Sequence, residues 1–521
     1  MTNKKLVKSA GYVAVITIIG KFMGFLKNTF QGRAFGTTGA TDAYTVSLNI
    51  PTILYSIIGV AVSTAFIPLL NESYAEKGKE DMFEFANNVM NILFLLSTVI
   101  FIIAWVMTPL LVKIMASHFT GEKFALTVYL TKISIVNLLF LSMSAGFTAI
   151  LQIMNDFTAP ALNGILIDIP PIIFTLFFVK YGGIVGLTIF TTIAFGLQVV
   201  NQIPWLLKNK YRYSFKLNLK DPRIFKMLKL ISPVIIGLSV NQINIIINTR
   251  LASGLPNGNI TAFSYASLLN GAFYSTFATS VVTVIFPTLS KEGSIGDIKG
   301  LKNHIVKAIN NINMIMIPLS LGIMVLRYHI IDILFKHGKF NEYSVEITSV
   351  ALLFLSIGMV FYGIRDVFNI SFYSTKDTKT PMINSIIGIT ANILISIILV
   401  KYMGIAGIAI GSSVSAAICA VLLMKDFKKK MGSIGGREML ITAIKLIMAS
   451  SIMCVIIILL NRYLGNLMVG FKSELLYTML IVLIGSLIYM ILLYILKVKE
   501  FNYIYNTAAY KIKQTIGMLD I

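Results

Sequence analysis

Apolar residues in this chain neither alternate nor mark one face of short helices. They run in blocks of 20 or more, separated by short polar stretches, from near residue 10 to near residue 496. About 20 apolar residues in a helix cross the ~30 Å hydrocarbon core of a bilayer, so each block predicts a transmembrane helix. The blocks lie near 10–34, 42–70, 83–113, 122–154, 159–179, 183–207, 226–251, 260–289, 303–326, 344–374, 380–400, 403–424, 439–461 and 475–496, about fourteen in all. Barrel strands would be alternating segments of ~10 residues, which excludes a membrane β-barrel. The expected fold class is an all-α polytopic membrane protein.

Composition agrees. Of 521 residues, 56% are hydrophobic and 13% charged, with a mean hydropathy of +0.82. A soluble protein of this length would carry about 25% charged residues. The formal net charge of +22 raises the question of nucleic acid. The basic residues, however, cluster in short loops between apolar blocks, so no nucleic-acid partner is expected. Loops on the side of the two termini, with the termini themselves, hold 28 of the 44 Lys and Arg, against 11 in the loops of the other side. The positive-inside rule then places both termini in the cytoplasm. Runs such as "KNKYRYSFKLNLKDPRIFKMLK" and "KDFKKKMGSIGGR" would rest against anionic lipid headgroups. The opening "MTNKKLVKSAGYVAVITIIG" runs into a full-length span and lacks a short h-region with a small-residue cleavage site, so no cleavable signal peptide is expected.

No pattern of residues suggests an enzyme. The phosphate-cradling G-x-x-x-x-G-K-[ST] is absent. His118, His304, His329 and His337 are scattered, and Cys419 and Cys454 sit in apolar blocks as free core thiols without metal or disulfide spacing. Loops of at most about 20 residues leave no room for a soluble catalytic domain. A transporter is expected, monomeric, with no cofactor or metal, driven by the membrane potential or an ion gradient.

The chain contains a repeat. "VKYGGIVGLT" at 179–188 returns as "VKYMGIAGIA" at 400–409, and Pro160, Asn163, Lys180, Gly183 and Gly186 match Pro381, Asn384, Lys401, Gly404 and Gly407 at an offset of 221. Earlier in the unit, Ala43, Tyr44, Tyr55, Ser56, Thr64 and Pro68 match Ala262, Phe263, Tyr274, Ser275, Thr283 and Pro287 at 219. One duplicated unit of six spans explains both series. An even number of spans gives both copies the same orientation, as in parallel repeats about an axis along the membrane normal. The expected organisation is a first lobe over 1–215, a second over 216–430, and two extra helices with a tail over 431–521. Two parallel six-helix lobes would surround a central cavity. The Lys-Tyr-x-Gly phrase is read as a turn device, with Lys and Tyr at the interface and Gly permitting the reversal.

Where the copies differ, chemistry is expected. The first span, "VITIIGKFMGFLKNTFQGRAFG", carries Lys21 near its middle and Lys27 two turns on. A lone lysine at a span centre costs about 2.5–3.5 kcal/mol, so it should face a wet cavity or a partner. Lys21, Gly24 and Asn28 share a helix face, with Lys27 about 120° away. The equivalent span 7 offers Asn241, Gln242, Asn244 and Asn248, with Arg250 only near its outer end. The first lobe should thus present a cationic wall and the second a neutral one, suited to an anionic cargo such as pyrophosphate. Asp42 follows Arg33 and is a candidate partner for it. Asp168 precedes a Pro-Pro kink and is a candidate proton or cation coupling site, or a kink cap. Arg365 and Asp366 are adjacent in span 10, about 100° apart, so pairing between them is not assumed. Lys21, Lys27, Asn28, Asp42 and Arg250 form the candidate cargo-binding set.

"GKFMGFLKNTFQGRAFGTTGATDAYTVSLNIP", with "FPTLSKEG", "LFKHGKF" and "FYSTKDTKTP", resembles the MurJ (MviN) lipid II flippase family of the multidrug/oligosaccharidyl-lipid/polysaccharide exporter superfamily. The likeness covers nearly the whole chain, including spans arranged as six, six and two. It implies that lipid II is flipped from the inner to the outer leaflet of the bacterial cytoplasmic membrane, with the polyprenyl tail in a groove at spans 13–14. The family pattern Arg-x-x-Gly-x-x-Arg-[Asp/Glu] reads here as Lys21, Gly24, Lys27 and Asn28; Asp42 matches the family's Asp after the first loop. Two family arginines are replaced, by Tyr55 in span 2 and by Leu268 in the span 8 stretch Tyr265, Ala266, Ser267, Leu268, Leu269. The readings set against this one are a flippase for another polyprenyl-pyrophosphate-linked oligosaccharide, a multidrug antiporter, and a non-transporting envelope scaffold.

Overall fold

The computed structural model describes residues 3–464 and 471–515, and every regular element among them is helical. First come α1 (Asn3–Phe35), α2 (Gly39–Ala61), a π-helical turn at Val62–Phe66, α3 (Ile67–Val106), α4 (Thr108–Met115), α5 (Gly121–Ser134) and α6 (Asn137–Ile153). There follow α7 (Thr158–Leu166), α8 (Ile169–Ile173), a second π-helical turn at Phe174–Phe178, α9 (Val179–Lys208) and α10 (Pro222–Ala252). The rest comprises α11 (Asn259–Ile295), α12 (Ile298–Phe335), α13 (Glu342–Ser374), α14 (Lys379–Met403), α15 (Ile405–Met431), α16 (Gly436–Leu464), α17 (Phe471–Ile495) and α18 (Lys499–Thr515).

Ten stretches among the described residues are long and apolar enough to cross a membrane, or eleven when the bent pair Asn259–Ala278 and Val281–Ile295 is one span. One of them, Thr158–Lys208, has 51 residues and breaks at Gly183, enough chain for two crossings. α2 and α10 have 23 and 31 residues. Fourteen crossings are compatible with this set.

By packing, the chain divides into Met1–Thr261 with Phe335–Ser344, and Ala262–Leu334 with Val345–Ile521. The division falls one helix beyond the repeat boundary read from the sequence, because α10 packs with the first unit. That unit's main core joins Phe66, Leu69 and Leu70 to Met82, Phe85 and Met90 of α3, Ile150 of α6 and Leu206 of α9. In the second unit, Leu446, Ala449 and Met453 of α16 and Tyr477, Ile481 and Tyr489 of α17 pack on Ile317 and Leu326 of α12. The two helices outside the repeat thus dock on a helix inside it.

The repeat is written in the turns. Gly183 has φ 52° and ψ −147°; its counterpart Gly404 has φ 54° and ψ −130°. L-residues reach this region only with strain, which fixes glycine at both. A second pair matches where glycine is absent. Asn155 and Lys376, 221 residues apart, have φ 57° and 63°. Each ends its helix in the same doubly bonded turn. Asp156 N donates to Leu151 O and Asn155 N to Gln152 O, at 2.9 and 3.0 Å; Asp377 N donates to Phe372 O and Lys376 N to Tyr373 O, also at 2.9 and 3.0 Å. These are Schellman motifs, which close the orphan carbonyls of a helix end.

The longest basic connection is held by asparagines on α3. Asn87 Nδ2 donates to Arg212 O at 3.1 Å and Asn91 Nδ2 to Lys216 O at 2.8 Å, while Asn88 receives Asn218 N at 2.7 Å. Arg223 then bridges Asp81 and Asp221 at 2.7 and 2.8 Å and lies 4.4 Å from the centroid of Phe85. The Arg223 hydrogen bonds hold the Asp221 carboxyl below the usual range.

Candidate functional site

Glycines let α1 run close to the broken segment α7–α8. A Cβ on Gly20 would stand 3.3 Å from the Gly164 carbonyl carbon, and one on Gly24 3.1 Å from Asp168 Oδ2. Asp168 sits at the break between α7 and α8, where Pro170 and Pro171 follow, and a proline cannot donate to the preceding turn. Its carboxylate leans over Gly24 and meets Lys27, with Nζ 2.7 Å from Oδ1. The Asp168 side chain is 5% exposed and that of Lys27 24%. Lys21 is exposed and makes no ion pair among the described residues. Asn28 turns its amide back onto α1, donating to Gly24 O at 2.7 Å. Of the two lysines, then, one is neutralised and one is not. Asp168 stands at the N-cap position of α8 but makes no side-chain capping hydrogen bond there; its carboxylate serves Lys27 instead.

Asp42 does not pair with Arg33. Gly36, at φ 63°, reverses the chain after α1, and Asp42 in the first turn of α2 points instead at the turn between α10 and α11. It is 1% exposed and accepts from Gly258 N at 2.7 Å, Thr261 N and Oγ1 at 3.0 Å each, and Lys123 Nζ at 3.0 Å. Lys123 also donates to Asn257 Oδ1 at 2.8 Å and lies 3.9 Å from the Phe119 centroid. The Arg33 carbonyl is bound by Lys339 N at 2.9 Å, and Thr37 Oγ1 donates to Ser344 Oγ at 2.7 Å. Four donors fill the Asp42 carboxylate, so it serves as an acceptor for this strapped turn. Thr261 is its own counterpart in the repeat. Arg250 is exposed in the last turn of α10, three residues before the strap begins.

The second unit carries a charged pair of its own. Arg365 and Asp366 of α13 do pair, Nε and Nη2 lying 3.1 and 3.0 Å from Oδ1. The long arginine side chain curls back across the 100° that separates neighbours on a helix. Tyr274 OH of α11 donates to the other carboxylate oxygen at 2.6 Å, and the guanidinium lies 5.2 Å from the Tyr362 centroid. The side chains of Arg365 and Asp366 are 34% and 28% exposed. Sequence reasoning saw the two residues without their partner. The usable signal was the repeat, which aligns Tyr274 with Tyr55, a position where the resembled family carries arginine. At the equivalents of Arg365 and Asp366 the first unit has Ser144 and Ala145, and Ser144 joins a neutral network through Gln202 Nε2 at 2.8 Å.

An apolar groove of about 580 Å³ runs between Ile330, Ile333 and Leu334 of α12 and Leu475, Met479 and Leu483 of α17. No group of three or more His, Cys, Asp or Glu among the described residues could hold a metal ion.

The family model described as "Lipid II flippase MurJ" matches residues 32–506. A probable lipid II flippase MurJ from Buchnera aphidicola subsp. Acyrthosiphon pisum is 26% identical over 96% of this chain and 100% of its own length. The solved structure of a lipid II flippase MurJ in an inward closed conformation is 28% identical and superposes with a TM-score of 0.78 over 92% of this chain and 97% of that one. An inward-facing multidrug resistance MATE transporter of the MOP superfamily shares the fold, with a TM-score of 0.65 at 15% identity over 82% of this chain and 99% of that one. With a match from the end of α1 into α18, the chain belongs to the MurJ lipid II flippase family of multi-pass membrane transporters.

Proposed function

We propose that this protein flips lipid II, the lipid-linked peptidoglycan precursor, from the inner to the outer leaflet of the bacterial cytoplasmic membrane by alternating access. It acts as a monomer with both termini in the cytoplasm. The observation that carries the reading is an exposed, unneutralised lysine in mid-span, Lys21, in a chain matched to this family over almost its whole length. The pyrophosphate of the head group binds Lys21 and draws Lys27 from Asp168. Cargo and Asp168 thus compete for one ammonium group, and a released Asp168 carboxylate becomes available to a proton or cation. The polyprenyl tail lies along the apolar groove of α12 and α17.

The test has two arms. Lys21→Ala and Lys27→Ala should each abolish complementation of a strain depleted of its lipid II flippase, while Lys180→Ala is tolerated. Normal growth of both alanine variants at normal protein level would sink the site assignment. The replacement of two family arginines by Tyr55 and Leu268 favours one second reading, a different polyprenyl-pyrophosphate glycolipid. Flipping in proteoliposomes, measured with lipid II beside one such glycolipid, separates the two.

A further inference from the structure

The second unit contains a basic cavity unrelated to the cargo site. α12 opens with Lys299, Lys302 and Lys307, which fall within about 140° of one another around the helix at 100° per residue. They line one wall of a cavity of about 780 Å³, closed by the turn at Ser433, Ile434 and Gly435 and by the start of α18. The turn needs glycine twice, at Gly432 and Gly435, with φ of 84° and 70°.

Two acids line the cavity and are engaged in part from within, the second carboxylate oxygen of Glu500 being buried without a hydrogen-bond partner. Glu438 is paired with Lys499 at 2.7 Å, and one oxygen of Glu500 accepts from Asn310 at 2.6 Å. Lys299, Lys302 and Lys307 make no ion pair among the described residues. An adjoining cavity of about 470 Å³ shares Glu438 and Lys499 and adds Arg437 and Lys497. Positive charge is therefore concentrated in a concave site with too few acids to neutralise it. Three lysines lining one hollow suit a compact, multiply accepting anion, and phosphate is the match.

The walls say where the phosphate comes from. Tyr503 and Ile504 of α18 line the same cavity and are 75% and 50% exposed, as is Tyr505 at 52%. Exposed tyrosine and isoleucine beside lysine, on a short helix that follows a transmembrane one, are the chemistry of a helix lying in the membrane interface. We propose that this cavity binds the phosphate headgroup of an anionic membrane lipid, with Lys299, Lys302 and Lys307 holding the phosphate and α18 lying alongside the acyl chains. Free inorganic phosphate has the same charge chemistry without the chains.

Full-length protein in neutral detergent, titrated with phosphatidylglycerol, phosphatidylcholine or inorganic phosphate and followed by its melting temperature, tests this without reference to flipping. Phosphatidylglycerol should raise the melting temperature and phosphatidylcholine should not. K299Q/K302Q/K307Q should weaken the apparent affinity for phosphatidylglycerol by about tenfold or more. K425Q/K428Q/K429Q, with the same charge change on exposed lysines of α15, should leave it unchanged. Equal loss in both triple variants would reduce the effect to general surface charge and overturn the site. A full shift from inorganic phosphate alone would overturn the lipid assignment. Should the cavity triple not fold, K302Q alone must still weaken binding, and a wild-type titration from it overturns the proposal.

Discussion

Lys27 shows how a residue's neighbour changes its role. Read alone, two lysines in one span make a cationic wall. Beside Asp168 at 2.7 Å, Lys27 is half of an ion pair, and only Lys21 brings net charge. Breaking a fully buried pair by removing one partner costs about 3–5 kcal/mol; the partial exposure of Lys27 lowers the expected loss to about 1–3 kcal/mol. Lys27→Ala should therefore melt earlier than the parent, and adding Asp168→Asn should restore the melting temperature by removing the stranded carboxylate. Activity should not return with it, because the cargo's cation is still missing. A double variant that regains both stability and flipping would show Lys27 to be structural only. A sequence names such partners poorly. Lys27 and Asp168 are 141 residues apart, and Asp168 has an apolar counterpart, Ile389, in the repeat. Asp42 was misassigned to Arg33 for the same reason: the nearest charge in sequence was weighed, while Lys123 was brought in by α5.

At the scale of the element, far more was legible. Spans follow from apolar blocks, and the 221-residue register followed from a turn whose geometry only glycine enters cheaply. Gly183 and Gly404 share that geometry, with φ of 52° and 54°. What composition could not show is that the chain also enters positive φ elsewhere without glycine. Lys210, Lys376 and Lys497 all have positive φ, at 64°, 63° and 51°, and each sits just past a helix end, where its charge meets the negative end of the helix dipole. The left-handed conformation costs an L-residue about 1–2 kcal/mol. A glycine there gains this but loses about 0.5–1 kcal/mol in chain entropy and a few tenths in dipole attraction. Lys376→Gly should thus leave stability within about 0.5–1 kcal/mol of the parent. Gly183→Ala should lose about 1–3 kcal/mol, all of it from the backbone, since nothing lies within 4 Å of the added Cβ. Melting temperatures of the two variants check this, and an unchanged Gly183→Ala would remove the reason for the conserved register between the copies. Sequence also undervalued the motif "FYSTKDTKTP". Its Asp377 accepts from Thr380 N and Oγ1 at 3.0 and 2.8 Å and from Lys430 Nζ at 2.5 Å. The residues of this motif build a helix start and an ion pair.

For the whole molecule, charge decides how the cycle can be driven. Moving one charge through the membrane potential is worth about 2.3 kcal/mol per 100 mV. A doubly charged pyrophosphate carried outward across an inside-negative membrane therefore runs downhill by about 4.6 kcal/mol per 100 mV. The empty protein must then return. With Lys27 held by Asp168, Lys21 is the one uncompensated charge of the two mid-span lysines of α1, and the field draws it inward. Arg365 adds nothing to the return, since Asp366 cancels it. Lys21 also travels outward with the cargo, so the loaded step moves one net negative charge and the empty step one net positive charge, and the two should depend on the potential about equally. Collapsing the potential in proteoliposomes while holding the pH gradient should slow lipid II flipping, and Lys21→Gln should weaken whatever potential dependence the return step retains. Flipping that proceeds unchanged without a potential, and stops when the pH gradient is removed, would instead assign the drive to a proton, with the Asp168 carboxylate that cargo frees from Lys27 as the group to carry it.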